Sequence, residues 1–453
     1  MSMSLSQAAT SINGMLHGGD RPFDGVSTDT RTLQRDALFF ALNGPNFNGS
    51  DFVPEAQKKG AAGVVVDAKV DAAISQITVD DTRLGLGRLA RAWRDEHDAT
   101  VVGITGSNGK TTVKELTAAC LAAAGPTLAT EGNFNNDIGL PLMLMRIEAR
   151  HRYAVLELGA NHVGEIAYLA SLARPEVAVI TNAGEAHLEG FGSREGIARG
   201  KGEILQEERR PQLAVLNADD QFFGYWQPLV ADTRVISFGL SAKADIRGSD
   251  VVMDKGLTRF ILHVDGDSVP VSLGLAGIHN VLNACAAAAV ATGLGMAPEA
   301  IATALESVRP VSGRLEPLAG EGGATVYDDS YNASPLSVLA AAGFLVTLPG
   351  ESWIVLGDMK ELGDEEERLH AEVGEALKKT GIDRLFTTGD LCRLTADAFG
   401  DGAQWYPTVA TLAEHVRKDL SPSVNVLVKG SRAMRMERVV DALRPGEALR
   451  AEA

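Results

Sequence analysis

From about residue 100 onward the chain alternates short, unbroken apolar runs with helical patterns. The runs ATVVGIT, YAVLELG, EVAVITN and LAVLN each end in a turn that contains Gly or Asn. Apolar runs of this length predict strands buried on both faces, as in a parallel sheet. After the first run, KTTVKELTAACLAAAG places Val113, Leu116, Cys120 and Ala123 on one helical face and stops at Gly125. A second series follows in ATVYDDS, SWIVLGD, DRLFTTG and VNVLVKG, separated by helical segments such as EERLHAEVGEALKKTG. Strands alternating with helices predict an α/β fold with mostly parallel sheets covered on both faces. The stretch before residue 82 reads differently, with short alternating runs broken by turns such as LNGPNFNGSD. Boundaries are therefore expected near 82 and near 312, the second just before SGRLE. The acidic run GDEEE at 363–367 reads as a solvated helix start, where carboxylates favour the helix dipole.

Composition narrows the class. Apolar residues make up 45% of the 453 and charged residues 22%, enough to bury ordinary cores. The formal charge of −17 argues against a general nucleic-acid or anionic-membrane partner, so any anionic substrate must be met by local donors and metal ions. Cys120, Cys285 and Cys392 lie far apart with no CxxC pair, which suits buried thiols in a reducing compartment. The start lacks a basic run followed by a long apolar segment, and no stretch of about 20 apolar residues exists to span a bilayer. A cytoplasmic chain without membrane insertion is expected.

The chemistry centres on GITGSNGKTT. A common phosphate loop, G-x-x-x-x-G-K-[ST], would need glycine at 104, where Ile104 stands; the glycines fall instead at 103, 106 and 109. Strand, Gly-rich turn and helix are nevertheless the context a phosphate loop requires. Gly106, Ser107, Asn108 and Gly109 can turn backbone N–H groups toward phosphates, and the helix start adds partial positive charge. Lys110 would reach the β- and γ-phosphates, with Thr111 or Thr112 offering a hydroxyl to Mg²⁺. The bland alternative is a tight turn with a solvated lysine.

Three further residues follow successive strands. Glu157 ends an apolar strand, where a doubly wound sheet binds ligands, and a carboxylate is a hard ligand for Mg²⁺. His187 follows another strand in TNAGEAHLEGFGS, and Lys201 lies on a predicted helix in IARGKGEIL. Taken separately they read as a salt-bridged strand end, a structural histidine and a surface lysine. Together, at one edge of one sheet, they point to a metal–phosphate site.

With these residues in place, the chain resembles the Mur ligases of peptidoglycan synthesis over nearly its whole length. The family's loop, G-x-x-G-x-x-G-K-[ST]-[ST], is matched fully by GITGSNGKTT. The resemblance implies three domains. A small N-terminal α/β domain (1–82) would hold the UDP-sugar. A central domain (83–312) with a P-loop-type, mostly parallel sheet would bind ATP. A C-terminal Rossmann-like α/β domain (313–453) would bind the incoming amine and complete the ATP site. It implies catalytic roles for Lys110, Glu157, His187 and Lys201. Thr111, Glu157, His187 and a Lys201 carbamylated by CO₂ would hold two Mg²⁺ ions between the phosphates and the protein. His279, Asn280 and Asn283 of GIHNVLNACAA would lie at the adenine end of ATP, with Arg314 clamping phosphate and Asp329 binding ribose. Asn280 and Asn283 read alternatively as helix N-terminal caps, and SYNASP as a plain turn.

The same resemblance assigns substrate contacts. Ser27, Asp29, Arg31, Asn46 and Asn48 would serve the UDP-sugar, and Asn133, Asn135 and Asn136 of TEGNFNNDIGLP would face substrate. Tyr331, Asn332, Lys429, Ser431 and Arg432 would line the third domain's side, where a cation suits a dipeptide carboxylate. No D-N-P-R-type segment of the third-residue-adding ligases is found. The substrates implied are UDP-N-acetylmuramoyl-tripeptide and D-alanyl-D-alanine, joined by a monomer at the expense of ATP. The rivals are another ligase of the superfamily, such as folylpolyglutamate synthetase, and a nucleotide hydrolase or switch that joins nothing.

Overall fold

The computed structural model describes residues 2–185, 187–206, 210–230, 232–254 and 257–446. The end of the third expected domain, 447–453, lies outside the described residues. Every apolar run singled out in the sequence forms a strand. Thr100–Thr105, Tyr153–Glu157, Val177–Ile180 and Leu213–Asn217 lie in one nine-stranded sheet. Thr325–Asp329, Glu351–Gly357, Arg384–Thr388 and Val424–Lys429 lie in a six-stranded sheet.

In the nine-stranded sheet, Thr100–Thr105 sits between Val177–Ile180 and Tyr153–Glu157, parallel to both. The chain passes to one side of this strand and then to the other. That reversal opens a crevice at the carboxyl ends of the strands, where a ligand can enter. All of the sheet is parallel as far as Ile246–Asp254. There it turns into an antiparallel meander through Leu257–Val264 and Asp267–Leu273. The meander carries alternating burial along Leu257–Val264, the mark of a strand with one wet face, and no expectation covered it.

Helix Lys110–Ala124 packs with helix Ile278–Gly293 on one face of this sheet. Its buried stripe runs through Val113, Leu116 and Cys120 as expected, but Leu121 completes it and Ala123 is exposed. Lys114 and Thr117 are buried as well and widen the stripe toward the side of Leu121, which leaves Ala123 past its opposite edge.

The opposite face is covered by helix Thr82–Asp95, capped by Asp81, and by Glu165–Ala173. Leu86, Leu89 and Ala90 of the first helix bury in one cluster with Leu5, Ile12 and Phe40 of the N-terminal region, Ile166 of helix Glu165–Ala173 and Ala178 of the central sheet. The N-terminal region itself is a five-stranded sheet, parallel except at Met15–His17 against Gln76–Thr78. The third sheet is parallel except for its first strand, Glu316–Ala319, and is packed on both faces. Among the described residues no helix is long and apolar enough to cross a membrane.

One buried ion pair ties helix Thr82–Asp95 to the strand that feeds the loop. Arg94 donates to both carboxylate oxygens of Glu176 at 2.8 and 3.0 Å, and Glu176 accepts the Val101 N–H at 2.8 Å. Arg94→Ala would leave a carboxylate almost without solvent beside the sheet. A loss of about 3–5 kcal/mol is expected in urea unfolding, whereas a loss below about 1 kcal/mol would show that water replaces the guanidinium.

Candidate active site

The glycine spacing of the loop is explained by its neighbours. Gly106 has φ +146° and Gly109 φ +82°, a region that side chains rarely adopt. A Cβ at Gly106 would fall 1.9 Å from Thr181 Oγ1, and one at Gly109 would fall 2.5 Å from Asn283 Oδ1. The loop is thus pressed between the end of the next strand and the second helix. Thr181 Oγ1 donates to Asn108 O at 2.6 Å, Asn182 Oδ1 accepts the Asn108 N–H at 3.0 Å, and Ser107 N–H donates to Asn182 O at 3.0 Å. Thr181 and Asn182 close the run EVAVITN, yet no role was expected of them. Only the adjacency of two parallel strands reveals it.

The loop opens onto a cleft of about 820 Å³. Ser107, Asn108, Gly109, Lys110 and Thr111 form one wall, with Glu157 and His187 beside them. Asn133, Asn135 and Asn136 line a second side, and Arg314, Tyr331, Asn332 and Lys429 come from the C-terminal unit. Contacts across the units close the cleft: Arg314 Nη2 donates to Thr111 Oγ1 at 3.4 Å, and Ser334 Oγ donates to Asn108 Oδ1 at 3.2 Å. The Arg314 guanidinium lies over the Tyr331 ring, 4.1 Å from its centre, which orients it toward the loop. Arg83, Asp137, His162 and Tyr168 also line the cleft and were not expected; nothing in their sequence surroundings marks them.

The electrostatics suit a metal and phosphates. Glu157 is only 2% exposed; Asn135 Nδ2 reaches its Oε2 at 3.4 Å, while its Oε1 is buried without a hydrogen-bond partner. A buried carboxylate oxygen lacking a donor is costly unless a cation faces it. Together with the Thr111 hydroxyl and His187, this donor set fits a hard divalent ion such as Mg²⁺. Lys110 Nζ folds back on Gly106 O at 2.6 Å. Burial pushes its ammonium from 10.5 down to about 8, and the nearby Glu157 partly offsets that.

Lys201 lies behind the cleft wall, fully buried, with Nζ 3.3 Å from the carbonyl of the wall residue Ala160 and 4.8 Å from the centre of the Phe191 ring. Burial, and then the charge of Lys110, push its amine well below the ordinary lysine value. A surface lysine is therefore ruled out, and a neutral amine is what CO₂ requires.

The other expected residues fall outside the cleft. Gly106 and Thr112 shape the loop and the helix start without lining it. Asn280 and Asn283 are not caps, since Gly277 occupies that position of helix Ile278–Gly293. Instead Asn280 donates to Ala276 O at 2.7 Å and accepts from Asn283 at 3.0 Å, bracing the loop from below. Asp329 accepts from Lys429 Nζ at 2.6 Å, and His279, with a partnerless buried Nδ1, is near enough to feel both charges. SYNASP is more than a plain turn, because Ser334 both reaches Asn108 and starts a helix. Ser431 is buried and accepts the Lys360 N–H at 2.7 Å, while Arg432 is exposed and pairs with Glu437. In the N-terminal unit Arg31 pairs with Asp29, Ser27 donates to Asp29 O, Asn48 caps a short 3-10 helix and Asn46 is exposed. None of these five lines the cleft.

Comparison with known proteins bears on the whole chain. Three family models match it: Mur ligase family, catalytic domain, over residues 22–94; Mur ligase middle domain over 104–291; and Mur ligase, glutamate ligase domain, over 313–432. The UDP-N-acetylmuramoyl-tripeptide–D-alanyl-D-alanine ligase of Escherichia coli K12 is 42% identical over 445 residues, 98% of each chain. The Bacillus subtilis protein of the same name is 37% identical, covering 92% of this chain and 93% of its own. The crystal structure of MurF from Acinetobacter baumannii matches with a TM-score of 0.92 at 33% identity, over 98% of this chain and 99% of that one. MurF from Thermotoga maritima in complex with ADP matches with a TM-score of 0.83 at 29% identity, over 92% and 96%.

The Lys110 shift gives a pH dependence. Below its value of about 8 the ammonium is charged and ready for phosphate; above it the free protein holds a neutral amine. Anion binding must then take up a proton. Calorimetry of a non-hydrolysable ATP analogue in two buffers should show uptake near zero at about pH 7 and rising toward one at about pH 9. Lys110→Met should bind weakly with no uptake at either pH. Equal uptake in both proteins would remove Lys110 from the phosphate site.

Proposed function

The chain belongs to the Mur ligase family, and we infer from this that it is an ATP-dependent, ADP-forming ligase joining D-alanyl-D-alanine to the terminal carboxylate of UDP-N-acetylmuramoyl-tripeptide, a step of peptidoglycan precursor synthesis. One observation carries the reading. In a chain similar along its length to enzymes of that name, a phosphate loop, a buried partnerless carboxylate and cationic residues of the C-terminal unit converge on one cleft.

The reaction proceeds in two displacements. A carboxylate oxygen of the tripeptide attacks the γ-phosphorus of ATP, and the bond to the β–γ bridging oxygen breaks with its electrons, releasing ADP. Lys110 and Arg314, which both line the cleft, would meet the negative charge that spreads over the transferring phosphoryl group, and fixed cations in a water-poor cleft stabilise such charge strongly. The amine of D-alanyl-D-alanine then attacks the carbonyl carbon of the acyl phosphate. The tetrahedral intermediate expels inorganic phosphate, and the nitrogen gives up its proton to leave an amide. Arg314, Tyr331, Ser334 and Lys429 arrive from the C-terminal unit, so its approach both completes the site and excludes the water that would hydrolyse the acyl phosphate.

Thr111, Glu157, His187 and a carbamylated Lys201 are the residues that would hold Mg²⁺, which when bound neutralises phosphate charge. Carbamylation adds the neutral Lys201 amine to CO₂ and releases a proton, turning a buried neutral amine into an anion that would suit a divalent cation. The partnerless Glu157 oxygen and the dry position of Lys201 support this set.

Two tests follow. With ATP and UDP-N-acetylmuramoyl-tripeptide, phosphate release and product mass are measured against D-alanyl-D-alanine, diaminopimelate, lysine and glutamate separately. Only the dipeptide is expected to give turnover and a product whose mass is that of the UDP-tripeptide plus the dipeptide less water; turnover that ignores the amine would make the protein a hydrolase. Lys201→Ala should lower kcat by about 10- to 100-fold and recover part of it in formate or acetate. Full activity without rescue would remove the carbamate.

A further inference from the structure

His187 and Glu361 meet across the seam between the central and C-terminal units, His187 Nδ1 against Glu361 Oε2. Both residues are in the left-handed backbone region, at φ +64° and +66°. Neither is glycine, and such positions persist only where the surroundings impose them. Here they do. The backbone N–H of Glu189 donates to Glu361 O at 3.3 Å, and a Cβ at Gly363 would lie 3.2 Å from Glu189 Cα, so the two loops touch backbone to backbone.

The loop that presents Glu361 is held from behind by buried groups with no part in the cleft. Asp358 accepts the Cys392 N–H at 2.8 Å and Lys360 Nζ at 2.9 Å. His370, fully buried, accepts the Met359 N–H on Nε2 at 3.0 Å and pairs through Nδ1 with Glu366 O at 2.6 Å. Asp358, His370 and Cys392 lie close enough together to suggest a metal site. With both imidazole nitrogens already engaged, however, they form a scaffold. Ser431 joins it, accepting the Lys360 N–H at 2.7 Å and donating its own N–H to Asp358 O at 3.1 Å. These contacts fix the tip from which the Glu361 carboxylate meets His187.

We propose that Glu361 is the positioning carboxylate of His187. Supplied by the other unit, it holds the imidazole with Nδ1 turned toward itself and leaves Nε2 for a divalent cation in the cleft. The inference rests on reading His187 as a metal ligand. A metal-binding histidine commonly gives its second nitrogen to a carboxylate, which sets tautomer and ring orientation. What is particular here is that the carboxylate belongs to a separate unit. The histidine becomes a competent ligand only when the C-terminal unit has docked, so metal binding and closure are one event.

The test is Mn²⁺ binding, followed by the EPR signal of free Mn²⁺ with a non-hydrolysable ATP analogue present, in wild type, Glu361→Gln, Glu361→Asp, His187→Ala and the His187→Ala/Glu361→Gln double variant. Glu361→Gln keeps the shape and should retain wild-type thermal stability while weakening Mn²⁺ binding about 10- to 100-fold and lowering kcat with little change in KM for ATP. Glu361→Asp should recover part of both. In the His187→Ala background, Glu361→Gln should add nothing, because the two residues act as a unit. Undiminished Mn²⁺ binding in Glu361→Gln, or additive losses in the double variant, overturns the inference while leaving His187 as a ligand. Undiminished binding in His187→Ala overturns the ligand reading as well.

Discussion

The structure depends on a close approach: the phosphate loop runs so near the end of the adjacent strand that only glycine fits at 106. Thr181 Oγ1 occupies the space a side chain would need, and uses it to hold the carbonyl of Asn108. Asn182 takes the N–H of the same residue. On the other side Asn283 leaves no room for a Cβ at Gly109. A backbone with its N–H groups splayed toward a ligand would otherwise relax, since a flexible glycine loop has many alternatives to lose on folding. Bracing from both sides supplies that order in advance, and the phosphate site costs little reorganisation when nucleotide arrives.

Around this loop the protein buries charge that it does not fully pair. Lys110 is pushed to about 8 by burial, Lys201 is driven well below the ordinary lysine value, and one oxygen of Glu157 has no donor. Such groups destabilise a fold on their own, and they stand around strands whose interiors are apolar. Their concentration at the carboxyl edge of one sheet is the signature of a site built for ligands that carry the missing charge. The stability they forgo is restored by large apolar clusters on both faces of the sheet and by the paired Arg94 and Glu176 further down.

The cleft is also shared. Arg314 on Thr111, Ser334 on Asn108 and Glu361 on His187 are three contacts by which the C-terminal unit grips the loop and its neighbours. Each joins a residue of the nucleotide side to one that has no chemistry of its own until the units meet. Ligation through an acyl phosphate needs this, because the intermediate must see an amine before it sees water. A site divided between two units makes exclusion of solvent and assembly of the chemistry the same movement.

Much of this was legible in the residues. Unbroken apolar runs can only be strands buried on both faces, and all eight became strands. Glycines at 103, 106 and 109 before Lys110, with Glu157 and His187 after later strands, marked one edge of one sheet, because chain direction in a parallel sheet brings every strand end to the same side. Local pattern also has limits that the same residues show. Taken by its own surroundings Lys201 reads as a surface lysine, yet it is wholly buried; Asn280 and Asn283, which local pattern alone allows as caps, brace the loop; Ser431, expected among the substrate contacts, is buried in the scaffold beneath Glu361. Thr181, Asn182 and Glu361 carried no signal at all. Periodicity reports which side of its own element a residue occupies, and it does so through forces that act over a few residues. What faces that side is decided by packing between segments far apart in the chain, and so the partners of Gly106 and His187 existed only once the sheet and the two units had come together.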